Sequence, residues 1–146
     1  MKIGAIIQAR SGSTRLPNKH FLKVNNQPII VELINRLKKI KSITDIIIAT
    51  TKKKQDNKFI NLSKKNNIKI FRGKEMDCLN RVHNAALKNN LDVIVFITGD
   101  CPIFDYKILN KLLKSFLKNK FDYSGNSFVR SYPDGMDIQI FSIKTL

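Results

Sequence analysis

The chain has little of what marks secreted, zinc-binding or membrane proteins. Its 146 residues include no tryptophan, two cysteines, four prolines and six glycines. Cys78 and Cys101 form no Cys-x-x-Cys pair, which argues against a disulfide framework and against a zinc site. No apolar run reaches the length of a membrane span, and the run at residues 3–7 is too short for the hydrophobic part of a signal peptide. We therefore expect reduced thiols, a cytoplasmic location and no membrane partner.

Acidic residues are scarce, with 11 against 27 basic residues and a net charge of +16. This excess is compatible with a non-catalytic domain that binds nucleic acid. Aromatic residues, however, make up only 8% of the chain and lie mostly within apolar runs, so that nucleic-acid bases would find few stacking partners. We expect no nucleic-acid partner and keep that class as an alternative. His20 and His83 show no metal-ligand spacing and are expected at the surface or in loops.

Apolar and amphipathic stretches alternate along the chain, which is typical of a layered α/β domain. Runs rich in Ile and Val predict buried strands at 3–8, 45–50, 68–71 and 92–97, and an alternating segment predicts another strand at 137–142. Helical spacing of apolar residues predicts helices at about 28–40, 55–66, 77–89 and 105–119, the last with Asp105 as its N-cap. No repeat or linker divides the chain. The pattern predicts one α/β domain over residues 1–146, with an open, mostly parallel sheet in a three-layer, Rossmann-like arrangement.

Polar clusters follow four of the predicted strands directly, at residues 10–19, 50–51, 72–77 and 99–102. In open parallel sheets, ligands bind outside the carboxyl ends of the strands. Because all four clusters fall at those ends, the sequence predicts a functional site at one edge of the sheet.

The first of these clusters suits a polyphosphate. The segment QARSGSTRLPNK, residues 8–19, offers two arginines, a lysine and several hydrogen-bond donors, although it has neither of the usual glycine-rich phosphate motifs. Arg10, Arg15 and Lys19 are the candidate phosphate ligands, and a solvated basic loop is the alternative. Asp100, in the fourth cluster, is either a Mg²⁺ ligand or a residue that only stabilises a turn.

The same segment closely resembles the N-terminal signature of the sugar-acid cytidylyltransferases. That family includes the CMP-KDO synthetases, the CMP-acylneuraminate synthetases and the spore coat polysaccharide F proteins. Its usual form is close to (P/Q)AR-x-x-S-(T/K)-R-L-P-x-K, which the chain matches at Ala9, Arg10, Ser13, Thr14, Arg15, Leu16, Pro17 and Lys19. Gln8 and Gly12 bring the chain nearest to the spore coat branch. The resemblance implies the nucleotide-diphospho-sugar transferase fold of that family.

The resemblance also implies roles for individual residues. Arg10, Lys19 and Asp100 would be catalytic, with Asp100, in a segment similar to the family's G-D-x-P, binding Mg²⁺. The implied nucleotide-binding residues are Ala9, Arg10, Ser11, Gly12, Ser13, Arg15, Lys19, Arg72 and Gly99.

Two further segments extend the resemblance beyond residues 8–19, which we call the phosphate loop. Residues 72–81 resemble R-G-x-E-x-D-V-L-x-R, which would place Arg72 beside the base and ribose, with Arg81 spaced to pair with Asp77. Residues 133–141 resemble P-x-G-x-D-x-E-x-F, which implies Asp137 and Gln139 as sugar-binding residues. The family has glutamate where this chain has Gln139, and that departure leaves the role of the position open.

The activity implied by the resemblance is transfer of CMP from CTP to a sugar acid, with release of pyrophosphate, in polysaccharide synthesis. CTP and a sugar acid would be its partners, Mg²⁺ its cofactor, and the full-length form would be a homodimer. Because such enzymes usually run on well beyond this length, we expect the chain to be the N-terminal part of the family domain, which binds CTP and turns it over poorly or not at all. A nucleotide-sugar-dependent glycosyltransferase of the same fold and an inactive remnant remain alternatives.

Overall fold

A mixed six-stranded sheet organises the computed structural model, which describes residues 1–129 and 131–146. The strands are β1 (Ile3–Gln8), β2 (Lys23–Val24), β3 (Gln27–Pro28), β4 (Asp45–Thr51), β5 (Lys69–Gly73), β6 (Val93–Thr98), β7 (Tyr123–Gly125) and β8 (Gln139–Ser142). The helices are α1 (Ile29–Lys38), α2 (Lys58–Lys65), α3 (Cys78–Lys88) and α4 (Tyr106–Asn119). Short 3₁₀ turns lie at Lys19–Phe21, Lys54–Asp56 and Ile143–Thr145.

The central sheet has the strand order β5-β4-β1-β6-β8-β7. Its first four strands are parallel, and the register places Ile6 of β1 beside Ile47 of β4 and Phe96 of β6. β8 runs antiparallel to both β6 and β7, while β2 and β3 form a separate hairpin. The predicted open, mostly parallel sheet is confirmed.

The two faces of the sheet are covered by different helices. Ile3, Ala5 and Ile7 of β1 belong to a buried cluster that includes apolar residues of α1, α2 and α4. Ile6 points to the opposite face, in a second cluster with Val82 of α3. Because successive side chains of a strand alternate between faces, an uninterrupted apolar run requires cover on both sides. The three-layer α/β prediction is therefore confirmed.

Helix ends follow ordinary capping chemistry. The side chain of Asp105 accepts a hydrogen bond from the Lys107 amide at 2.7 Å, as predicted for the N-cap of α4. Asp77 caps α3 in the same way, accepting from the Asn80 amide at 3.0 Å. Among the described residues, no helix is long and apolar enough to cross a membrane.

Two sequence predictions about secondary structure were wrong in detail, and three short strands were not predicted. The helix predicted at 55–66 begins only at Lys58, because Lys54–Asp56 form a 3₁₀ turn. The last strand begins at Gln139 rather than at residue 137, since the Ile138 amide donates to the Asn126 side chain at 2.8 Å. The short strands β2, β3 and β7 were not predicted. The Asn25-Asn26 turn that joins β2 to β3, with φ of 50° and 62°, is a typical hairpin signal.

Candidate active site

A polar pocket of about 250 Å³ lies at the carboxyl ends of β1 and β6. It is formed by residues that follow or end these two strands: Gln8, Ala9, Arg10, Ser13, Thr14, Arg15, Lys19, His20, Thr98 and Asp100. The structure thus brings together the first and fourth polar clusters of the sequence, although they are about eighty residues apart. A pocket at this edge is where an open parallel sheet binds its ligands.

The cations of the pocket are only partly neutralised by protein carboxylates. Lys19 donates to the carboxylate of Asp100, and its side chain is 23% exposed. Arg10 lies on the other side, with Nη1 3.7 Å from Oε1 of Glu75. Within the described part of the chain, no carboxylate pairs with Arg15, which is exposed. A group of three cations around a single pocket carboxylate can bind an oligophosphate.

Asp100 is the acidic residue of the pocket. Burial alone would raise its pKa, but hydrogen bonds from Lys19 and Thr98 lower the pKa below the usual value, so that the carboxylate is charged at neutral pH. In the described residues, no group of three or more His, Cys, Asp or Glu side chains could hold a metal ion. One carboxylate nevertheless fits Mg²⁺, which proteins usually bind through one or two carboxylates together with substrate phosphates.

His20 was predicted at the surface or in a loop; it does lie in the connection between β1 and β2, but it is not at the surface. It lies in the 3₁₀ turn after the phosphate loop, is only 3% exposed, and packs beside Phe59 with ring centroids 6.0 Å apart. Its Nδ1 is buried and has no hydrogen-bond partner among the described residues. A Cβ on Gly99 would come within 3.1 Å of both His20 Cε1 and the Gln8 carbonyl oxygen, so a larger residue there would need these neighbours to move by a few tenths of an ångström. His20 therefore supports the floor of the pocket.

Burial of His20 gives the fold a pH dependence. Burial lowers the pKa of His20 below 6.5, despite the opposite effects of the Gly99 backbone and Asp100. Between the folded and unfolded pKa values only the unfolded chain binds the proton, so the free energy of unfolding decreases as pH falls below about 6.5, by up to ~1.4 kcal/mol per pH unit. Urea unfolding between about pH 5 and pH 7 measures this, above the range in which carboxylates with lowered pKa titrate.

The matched variants for that experiment are His20→Gln and His83→Gln. His83 lies in α3 and is partly exposed. His20→Gln should flatten the pH profile, whereas His83→Gln should retain its slope. Equal slopes in the wild type and in His20→Gln would contradict the assignment.

Three residues lie behind the pocket wall and do not line the pocket: Ser11, Gly12 and Gly99. Ser11 is 5% exposed and bonds to the turn at Lys54–Asp56, with its amide 2.7 Å from Oδ1 of Asp56. A Cβ on Gly12 would lie 2.9 Å from the Gln55 side chain. Of the residues predicted to bind nucleotide, the pocket itself contains Ala9, Arg10, Ser13, Arg15 and Lys19.

Arg72 lies outside this pocket. It lines a separate hollow of about 220 Å³ beside α3, and its Nε and Nη2 donate to the carbonyl oxygens of Thr51 and Lys53 at 2.9 and 3.0 Å. Arg81 is 2% exposed and does not pair with Asp77; its Nη1 donates to the carbonyl oxygens of Lys74 and Glu75 at 2.7 and 3.2 Å. Both guanidinium groups therefore hold backbone in place around β5.

The two residues predicted to bind the sugar lie in different surroundings. Asp137 lies close to Cys101, in the segment that carries Asp100. Its charge is one of the causes that raise the pKa of the Cys101 thiol, after burial, which is the largest cause, and Asp100. Gln139 instead lines an apolar cavity of about 400 Å³ on the α3 face, with Leu79 and Phe141. Gly135, with φ of 87°, makes the turn that precedes both residues.

The structure is an α/β domain with a cationic pocket at the carboxyl edge of its sheet. The chain belongs to the cytidylyltransferase family, whose model matches residues 4–133.

Individual relatives agree with this assignment. The chain is similar to an uncharacterized protein of Methanocaldococcus jannaschii, with 48% identity over 84% of the chain and 51% of that protein. It is 30% identical to the spore coat polysaccharide biosynthesis protein SpsF of Bacillus subtilis, over 82% of the chain and 51% of that protein. It is also 30% identical to the 3-deoxy-manno-octulosonate cytidylyltransferase of Bdellovibrio bacteriovorus, over 80% of the chain and 47% of that protein.

Among solved structures, a cytidylyltransferase from Leptospira borgpetersenii superposes with a TM-score of 0.94 and 40% identity, covering 99% of this chain and 61% of that one. The chain spans about half the length of the curated relatives it matches.

Proposed function

We propose that this protein transfers CMP from CTP to a sugar acid and releases pyrophosphate, in the cytoplasm, as a step in polysaccharide synthesis. The observation that supports this most directly is the pocket in which Arg10, Arg15 and Lys19 surround Asp100. The sugar-acid acceptor is supported by the names of relatives, one of which is a 3-deoxy-manno-octulosonate cytidylyltransferase. The homodimer implied by the family resemblance stays a prediction.

In this proposal the residues of the pocket act by position and charge. Lys19, which holds Asp100 in the structure, and Arg10, which lies beside Glu75, would exchange these carboxylates for phosphate oxygens. Mg²⁺, when bound, would be held by Asp100 and by phosphate oxygens, and would supply charge neutralisation for the leaving pyrophosphate. Backbone amides from Gly12 to Thr14 would add neutral donors to the same phosphates, whereas the Ser11 amide is already bonded to Asp56.

The chemical step is an in-line displacement at phosphorus. A hydroxyl oxygen of the sugar forms a bond to the α-phosphorus while the bond from that phosphorus to the bridging oxygen breaks; the electron pair leaves with pyrophosphate, and the hydroxyl proton is released to water. The protein lowers the barrier mainly by orienting the two substrates and by stabilising the developing negative charge. Asp137, close to the Asp100 segment, is the side chain we propose for the acceptor side.

The experiment is a two-stage measurement with the purified chain. Calorimetric titration with CTP, GTP and inorganic pyrophosphate in Mg²⁺ tests the nucleotide site, and we expect CTP and pyrophosphate to bind. Release of pyrophosphate from CTP is then screened against a set of sugar acids that includes 3-deoxy-manno-octulosonate. If the wild-type chain bound neither CTP nor pyrophosphate, the proposal would be overturned. Binding without turnover would restrict the proposal to nucleotide recognition.

A further inference from the structure

The carboxylate of Asp56 is buried directly behind the phosphate loop. Asp56 is 0% exposed, and Oδ1 accepts a hydrogen bond from the Ser11 amide at 2.7 Å. The other oxygen, Oδ2, accepts from the hydroxyl of Thr51. The Ser11 hydroxyl donates to the Gln55 carbonyl oxygen at 3.3 Å, which ties the loop to the same turn a second time.

No lysine, arginine or histidine of the described residues forms an ion pair with Asp56. This is unusual in a chain with 27 basic residues, since burial of an unpaired charge is costly unless hydrogen bonds replace the lost water. Burial raises the pKa of Asp56, but the bonds from Thr51 and Ser11 outweigh it and lower the pKa below the usual value. The group is therefore an ionised acceptor at neutral pH.

The directions of these hydrogen bonds require two acceptor oxygens at position 56. The Ser11 amide can only donate. The Thr51 hydroxyl already accepts from the Lys53 amide at 3.1 Å, so its own proton is directed to Asp56. An asparagine would place its NH₂ group against one of these two donors, whichever way its amide is turned.

We propose that Asp56 is a positioning residue, which holds the Ser11 amide and the Thr51 hydroxyl so that the phosphate loop keeps the geometry needed to bind the triphosphate. Ser11 lies between Arg10, which reaches the pocket, and Gly12, which packs on Gln55. Movement of the Ser11 backbone therefore displaces the Arg10 side chain and the backbone at Gly12. This inference rests on the proposed function, because Asp56 would support the loop that binds the nucleotide.

The sharpest test compares Asp56→Asn with Asp45→Asn. Asp45 is a suitable control because its carboxylate is also held by hydrogen bonds and ion pairs, to Lys2 and Lys69, but lies at the opposite end of β4. Calorimetric titration with pyrophosphate and with CTP, at a temperature where circular dichroism shows each variant fully folded, gives the affinities. We expect Asp56→Asn to bind both ligands at least about tenfold more weakly, because one buried donor is left without an acceptor. Asp45→Asn should bind both ligands as tightly as the wild type does.

A second pair of variants covers the case in which Asp56→Asn does not fold. Thr51 is 1% exposed; Thr51→Val keeps nearly the same side-chain shape but removes the hydroxyl, whereas Thr51→Ser keeps the hydroxyl. We expect weakened binding in Thr51→Val and near wild-type binding in Thr51→Ser. A merely structural role would lower the melting temperature without changing the affinity of the folded protein.

The outcomes separate this inference from the proposed function. If the wild-type chain binds CTP and pyrophosphate, and Asp56→Asn or Thr51→Val binds them within about twofold of wild type, Asp56 does not position the loop, although the proposed function stands. If the wild-type chain binds neither ligand, the proposed function is overturned and the positioning role falls with it. Hydrogen exchange of the Ser11 amide adds an independent readout, since its protection should decrease in Asp56→Asn, where at best a neutral amide oxygen replaces the carboxylate, and should be kept in Asp45→Asn.

Discussion

Asp100→Asn is expected to reduce Mg²⁺-dependent release of pyrophosphate by at least about 100-fold, the loss typical of one electrostatic group at a transition state. Asparagine keeps the shape of the side chain and its ability to stabilise a turn, but it removes the charge that attracts the cation. The alternative, in which Asp100 only forms a turn, predicts near-normal activity. Rates measured over a series of Mg²⁺ concentrations separate the two.

The ion pair with Lys19 adds a second expectation that does not require turnover. Asp100 forms an ion pair with Lys19 in the structure, and its negative charge repels phosphate. Without Mg²⁺, CTP should therefore bind Asp100→Asn as tightly as the wild type, or more tightly. The enhancement of CTP affinity by Mg²⁺ should disappear in this variant. Asp105→Asn is the matched control, since asparagine also serves well as the N-cap of α4. Retention of the Mg²⁺ effect in Asp100→Asn would remove Asp100 from the metal site.

Much of the fold could be predicted from the sequence, because its central strands are continuous apolar runs. β1 was predicted with the bounds the structure shows, and β4 and β6 within one residue at each end. Such runs need cover on both faces, and this requirement predicts three layers. β7 could not be predicted, since its three residues carry no alternation and its pairing with β8 depends on the tertiary structure.

The candidate site likewise contains residues that could be predicted from the sequence and residues that could not. Arg10, Lys19 and Asp100 could be predicted because each follows a strand, and the carboxyl ends of parallel strands meet at one edge. Asp56 could not, because it belongs to a polar, lysine-rich stretch that predicts a solvated surface. Its burial comes from a contact with Ser11, 45 residues away, for which no local pattern exists. His20 was missed for a similar reason, as its burial depends on packing against α2.

The Asp137–Gln139 segment shows a further limit of pattern matching. The family resemblance implies that both of these residues bind the sugar. In the structure β8 begins only at Gln139, because Asn126 binds the Ile138 amide and the chain enters the sheet late. The two side chains therefore point to different surroundings, and the acceptor role we propose for Asp137 does not extend to Gln139.

Lys19→Ala is expected to weaken binding of CTP and pyrophosphate by about 30-fold or more, which corresponds to ~2 kcal/mol. Lys19 is the cation most enclosed by the pocket, and its side chain, 23% exposed, is held in place by Asp100. A positioned ammonium group loses little conformational freedom on binding a phosphate, so its removal should cost more than the loss of a mobile surface lysine. Calorimetric titration with pyrophosphate isolates this effect from the base and the ribose.

Lys58→Ala is the matched control for Lys19→Ala. Lys58 also lies beside the phosphate loop, where Nζ donates to the Asn18 side chain and sits 4.7 Å from the centroid of the Phe21 ring, but it does not line the pocket. Both variants remove one positive charge, so a general electrostatic attraction by this basic chain would weaken binding equally in the two, and increasingly so at low salt. A directed contact predicts a large loss in Lys19→Ala and little change in Lys58→Ala at all salt concentrations. Equal losses would mean that net charge, rather than the geometry of the pocket, attracts the phosphate.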